Sequence, residues 1–149
     1  MSLENSMKLI KRIHPDSVIL VKIGKFYQCF DKDAYIVSDI FEYKLKKDKY
    51  ISCGFPLSSL NKVMVGLEKE NVSYVVVDKR NEYEVTSREE FGNKNSYYEK
   101  YKMAKLKEKI TKRVEKLDRF VFEKILNGDK EVINKVKAME KLYGETRKV

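Results

Sequence analysis

Val18-Ile19-Leu20-Val21-Lys22-Ile23-Gly24-Lys25-Phe26-Tyr27-Gln28-Cys29-Phe30 decides how the first half of this 149-residue chain folds. Its opening four residues are a continuous apolar run rich in β-branched side chains, the mark of a strand covered on both faces. Gly24-Lys25 is a tight-turn signal, and Phe26 to Phe30 reads as a second strand folded back on the first. Upstream, Leu3 to Ile13 reads as an amphipathic helix with Met7, Ile10 and Ile13 on one side, ended by Pro15-Asp16. Downstream, Asp31 is expected to cap a helix running through Ile40. Tyr50 to Cys53 is a short strand, Gly54-Phe55-Pro56 a turn, and Ser58 or Ser59 the cap of a helix carrying Val63, Met64 and Leu67. Val72 to Val77 is another buried strand, and Tyr83 to Thr86 an edge strand behind a turn at Lys79 to Asn81.

From Ser96 onward the period becomes helical. Met103, Leu106, Ile110, Val114, Leu117, Val121 and Ile125 recur at spacings of three and four and form one apolar stripe. Asn127-Gly128 stops that helix and Asp129 caps the next, whose stripe is Val132, Val136, Met139 and Leu142 with Tyr143 beside it. The pair is a helical hairpin. Its first helix, about 30 residues and about 45 Å long, would overhang a domain of under about 100 residues, so part of its stripe is expected to meet a partner.

The charge divides the chain in the same place. Lys and Arg number 32 against 23 Asp and Glu, a net of +9. Through Glu90 there are 15 basic against 14 acidic residues, and from Phe91 on 17 against 9, so nearly all the excess sits on the helical part. The expected architecture is therefore an α+β domain over residues 1–90, with a mixed β-sheet and flanking helices, then a basic α-helical hairpin over 96–149. Phe91-Gly92-Asn93-Lys94-Asn95 is the polar break between them.

Composition excludes several classes. No apolar run approaches the roughly 18 residues of a membrane span, and no signal-peptide pattern opens the sequence, which is read as soluble and cytoplasmic. Two cysteines, Cys29 and Cys53, make no disulfide framework, and with the single His14 they do not fill a zinc site; both read as small buried hydrophobes. No cofactor is expected. No nucleophile, metal set or acid and base pair with recognisable spacing is present, so an enzyme is not expected.

Residues rather than composition then suggest a family. His14-Pro15-Asp16, followed by the apolar strand, Gly24-Lys25-Phe26-Tyr27-Gln28 and Asp31-Lys32-Asp33-Ala34, resembles the opening of the MutS mismatch-repair proteins. Their first domain carries Pro-Asp, a strand, Gly-x-Phe-Tyr-Glu, an acidic pair and Ala. Cys53-Gly54-Phe55-Pro56, a helix ending near Leu67-Glu68-Lys69 and the strand Tyr74 to Val77 follow in that domain's order. The resemblance covers about residues 7–80 and leaves the helical tail outside.

In that family the Phe of Phe-Tyr-Glu wedges beside a mispaired or unpaired base from the minor groove, and the Glu bonds the base. By residue, the resemblance places the wedge on Phe26 and the base-bonding position on Gln28, with Gly24 and Lys25 beside them. Residues two apart on a strand share a face, so Phe26 and Gln28 can reach one base step while Tyr27 points away. A wedge must meet an unstacking cost of a few kcal/mol, lowest where pairing is already defective.

The sequence departs from the pattern where discrimination would be made. Gln28 can donate to or accept from a base but lacks the family's negative charge, and Lys25 replaces an acidic residue. Both changes imply stronger general affinity and weaker mismatch selectivity. Leu57-Ser58 replaces the usual Tyr-His, Asp78-Lys79 stands where Glu-Gln is common, and no G-x-x-x-x-G-K-[ST] occurs, so no ATPase is expected.

Each reading has a plainer one beside it. Phe26 could be core, and Gln28 a solvated strand residue. Lys102, Lys105, Lys109, Lys112, Arg113, Lys116 and Arg119 could form the solvated face of a bundle helix or contact phosphates. The expected partner is duplex DNA carrying a mismatch or distortion, with structured RNA or single strands left open, and a homo-oligomer through the C-terminal helices would add avidity. The alternative is a protein-interaction scaffold serving a repair or mobile-element enzyme, its base-reading function lost.

Overall fold

The structure, a computed structural model, describes residues 2–92 and 95–147, with side chains through Gly144. Asn93 and Lys94, in the expected break, lie outside the described residues. The chain divides into two compact units, Met1–Leu106 and Lys107–Val149.

The first unit is built on a six-stranded mixed sheet in the order β3-β4-β2-β1-β5-β6. Its strands are β1 (Ser17–Ile23), β2 (Phe26–Phe30), β3 (Leu45–Lys47), β4 (Ile51–Pro56), β5 (Ser73–Asp78) and β6 (Glu84–Glu89). β1 and β5 pair in parallel and every other neighbouring pair is antiparallel. The helices of this unit are α1 (Leu3–Ile13), α2 (Lys32–Phe41), α3 (Leu60–Lys69) and the start of α4 (Asn95–Leu126). The expected α+β class and the bounds of α1 hold, and Val18, Ile19, Leu20 and Val21 are each fully buried.

Alternation along β1 splits the core in two. Val18 and Leu20 join Tyr27, Cys29, Phe55, Ile36, Leu67 and Tyr97 on the face covered by α2, α3 and α4. Ile19 and Val21 join Val75 and Val77 on the other, where Met7 and Ile10 of α1 pack with Phe30.

Four local expectations change. Gly54-Phe55-Pro56 is not a turn but the end of β4, because Phe26, Tyr27 and Gln28 pair with Pro56, Phe55 and Gly54. β3, a lysine-rich edge strand, carries too few apolar residues to announce itself. Asp31 precedes α2 but its side chain makes no cap bond, and neither does that of Ser59, the last residue of a single 3₁₀ turn over Leu57–Ser59. The compact body also extends past the expected 1–90 limit to Leu106, because Tyr97 and Ala104 of α4 are buried in it.

Asp33, not Asp31, is the carboxylate that organises this region. It is buried, accepts from Lys11 Nζ at 2.6 Å and from the Ile19 N–H at 3.0 Å, and accepts the Tyr97 hydroxyl in a short bond. Burial pushes its carboxyl above the usual range while these donors, Lys11 foremost, oppose the shift. One side chain thus ties α1, β1 and α4 to α2.

The second unit contains the rest of α4 and α5 (Lys130–Arg147), joined through Asn127-Gly128-Asp129. Gly128 adopts a φ of +77°, and Asp129 Oδ1 accepts the Val132 N–H at 3.2 Å, the stop and cap read from the sequence.

Candidate nucleic-acid interface

The β1–β2 hairpin places Phe26. Ile23 pairs with Phe26 across a two-residue turn, and Gly24 at its first position has a φ of +62°, which glycine adopts without a Cβ penalty. β2 alternates about its axis, so Tyr27 and Cys29 are buried while Phe26, Gln28 and Phe30 share the opposite face. Tyr27 stacks on Phe55 at 5.7 Å, and Phe55 on Tyr43 at 5.8 Å, which holds the strand from beneath.

Phe26 is 52% exposed, so it is no part of the core. Gln28 is half-buried, with its Cγ passing over Gly54, where an added Cβ would come within 3.6 Å of it. Lys25 and Gly24 are exposed beside the ring. Gly24, Lys25, Phe26 and Gln28 are therefore brought together. Further down the same face Phe30 meets Tyr50 edge-on at 6.3 Å and borders a cavity of about 460 Å³ whose lining includes Met7, Lys11, Lys32 and Tyr98.

Sequence reasoning missed the rest of this face. Across β4 and β3 it continues through Ser52, Gly54, Pro56 and Lys46, all half-buried or exposed. The period-two count that linked Phe26 to Gln28 reaches Phe30, and the run Lys44-Leu45-Lys46-Lys47-Asp48-Lys49 was the signal for the rest.

The basic residues of α4 are not equivalent. Lys105 Nζ lies 3.4 Å from the Tyr35 hydroxyl and 4.5 Å from that ring's centroid, inside the first unit. Lys112 lies 3.6 Å from Glu108, whereas Lys109, Arg113 and Lys116 are simply exposed in the second unit. The apolar stripe is exposed too, with Met103, Leu106, Ile110, Val114, Leu117 and Ile125 all among the open large hydrophobics.

Cys29 and Cys53 face each other across β2 and β4, fully buried, and burial pushes the Cys29 thiol up, away from the thiolate that nucleophilic work requires. Among the described residues no group of His, Cys, Asp and Glu could hold a metal ion, and no helix is long and apolar enough to cross a membrane.

The exposed Phe26 ring and the Gln28 amide thus share one face of a central hairpin. The MutS domain I family model matches residues 2–117, and the chain belongs to that family. Among curated relatives, the DNA mismatch repair protein MutS of Roseiflexus sp. strain RS-1 is 40% identical over 43 residues, 29% of this chain and 4% of that protein. MSH3 of Saccharomyces cerevisiae strain YJM789 is 27% identical over 113 residues, 66% of this chain and 11% of its own length. MutS of Rickettsia canadensis is 31% identical over 94 residues, 59% of this chain and 10% of that protein. The chain thus spans about a tenth or less of the length of these relatives.

Proposed function

We propose that this protein is a non-catalytic nucleic-acid-binding module that recognises mispaired or otherwise distorted duplex DNA. The observation that carries the reading is the half-exposed Phe26 ring at the lip of a buried hairpin, with Gln28 on the same face. Phe26 inserts at a weakened base step, Gln28 bonds the base edge, and Gly24 lets the backbone approach while Lys25 adds positive charge. Membership in a family whose curated members are named for mismatch repair supports this reading. Lys109, Lys112, Arg113 and Lys116 add phosphate attraction independent of sequence, with Lys105 held back by Tyr35.

The exposed stripe of α4 recurs at spacings of three, four and four, an eleven-residue repeat close to the helical period. It serves to pair two copies, doubling the binding sites. This stripe is also what favours the second reading, a protein-interaction scaffold.

Fluorescence anisotropy tests the first reading with a matched duplex, the same duplex carrying one unpaired thymine, and a single strand. Stacking worth about 1–3 kcal/mol corresponds to a loss of about 5- to 150-fold on the defective duplex for Phe26→Ala, with the matched duplex little changed. Equal binding to all three by wild type and variant overturns it, and a stable oligomer that shifts no nucleic acid supports the scaffold.

A further inference from the structure

Residues 1–90 carry 15 basic against 14 acidic side chains, and the positive ones are not evenly spread. At one edge of the sheet Lys44, Lys46, Lys47 and Lys49 lie within six residues on and around β3. At the opposite edge, β6 carries Glu84 and Glu89 on the face of Tyr74 and Asp78, and Arg88, paired with Val75, on the face of Gln28. Among the described residues, Lys44, Lys46 and Lys49 enter no ion pair. Lys47 instead lies 5.8 Å from the Tyr35 ring on the far face, and Lys49 lies 5.4 Å from the Tyr50 ring.

Register connects the basic edge to the wedge. Lys46 pairs with Ser52 and Ser52 with Phe30, so Lys46, Ser52 and Phe30 share the face that carries Gln28 and Phe26. Two strand spacings of about 4.8 Å and four residues of about 3.3 Å separate Lys46 from Phe26, roughly 16 Å in all. At 3.4 Å per step this is about five base-pair steps of duplex. The residues between, Ser52, Gly54 and Gln28, are small or polar, and α1 packs on the same face beside Phe30.

We propose that the β3–β4 hairpin is a phosphate anchor: Lys44, Lys46 and Lys49 bind backbone phosphates of the duplex whose defective step Phe26 occupies. The anchor rests on the DNA-binding reading above and adds to it a second contact within the first unit, independent of α4.

The test measures anisotropy of the full chain on matched and unpaired-thymine duplexes between about 50 and 200 mM salt. It compares wild type, Phe26→Ala, and the triple variant Lys44→Gln, Lys46→Gln, Lys49→Gln, with folding checked by circular dichroism. Losing three phosphate contacts lowers the salt slope by about 2.7, so the affinity lost across that range shrinks by about 40-fold, equally on both duplexes. A triple variant that keeps the wild-type slope overturns the anchor even where Phe26→Ala removes defect preference. A triple variant that loses slope while wild type shows no preference upholds the anchor and overturns the wedge.

Discussion

Replacing Asp33 with alanine removes the one acceptor shared by Lys11, the Ile19 N–H and Tyr97. Breaking a buried ion pair from one side costs about 3–5 kcal/mol, and an unpaired buried N–H adds about 1–3 kcal/mol. Together these give about 4–8 kcal/mol, but the Lys11 side chain is 31% exposed and can turn its ammonium to solvent, which discounts the total to about 3 kcal/mol. A domain of this size has about 5–15 kcal/mol to lose, so Asp33→Ala stays folded at 25 °C with a much reduced margin. In urea, with a slope of about 1.5 kcal/mol/M, the midpoint falls by about 2 M at unchanged slope. Lys11→Met and Tyr97→Phe made singly and together with Asp33→Ala should be strongly non-additive, since all three act on one carboxylate. A loss below about 1 kcal/mol, or additive singles, would refute the role given to Asp33.

Truncation after Leu106 should leave the melting transition of the first unit intact, whereas truncation after Glu90 removes buried Tyr97 and Ala104 and should abolish cooperative unfolding by calorimetry. Gly66→Ala places a Cβ against the Phe41 ring, and overpacking of about 1–3 kcal/mol outweighs a helix-propensity gain of about 1 kcal/mol; urea titration should show Phe41→Leu relieving it. Burial, then the Asp33 charge, holds the Tyr97 phenol well above its ordinary 10 in the folded state. Its contribution is complete below pH 10 and is lost as pH climbs further, so ultraviolet titration should show Tyr97 ionising only with unfolding, and Tyr97→Phe should flatten stability above pH 10.

The parts legible in the sequence are those whose cause is local. The run Val18 to Val21 records burial on two faces, and the period of two from Phe26 to Gln28 records a strand with one face open. β3 escaped because its residues are mostly lysines, and an edge strand is held by pairing with β4 rather than by apolar content. Gly54-Phe55-Pro56 carries turn residues, yet three cross-strand pairs with β2 override them. The Asp33 cluster joins positions 11, 19, 33 and 97, and no spacing rule connects residues that far apart. Tyr97 consequently looked like the first turn of a separate tail when it belongs to the sheet domain.

The hairpin that carries Phe26 grows out of β1, whose central residues have no accessible surface and which is flanked by β2 on one side and β5 on the other. A ring mounted on β2, paired to that strand, has little room to retreat, because moving the strand back means moving the middle of the core. In the complex proposed above the compliance must come from the nucleic acid. The protein then behaves as a rigid gauge, and the ranking of ligands should follow how cheaply each base step opens and bends, rather than which bases it contains.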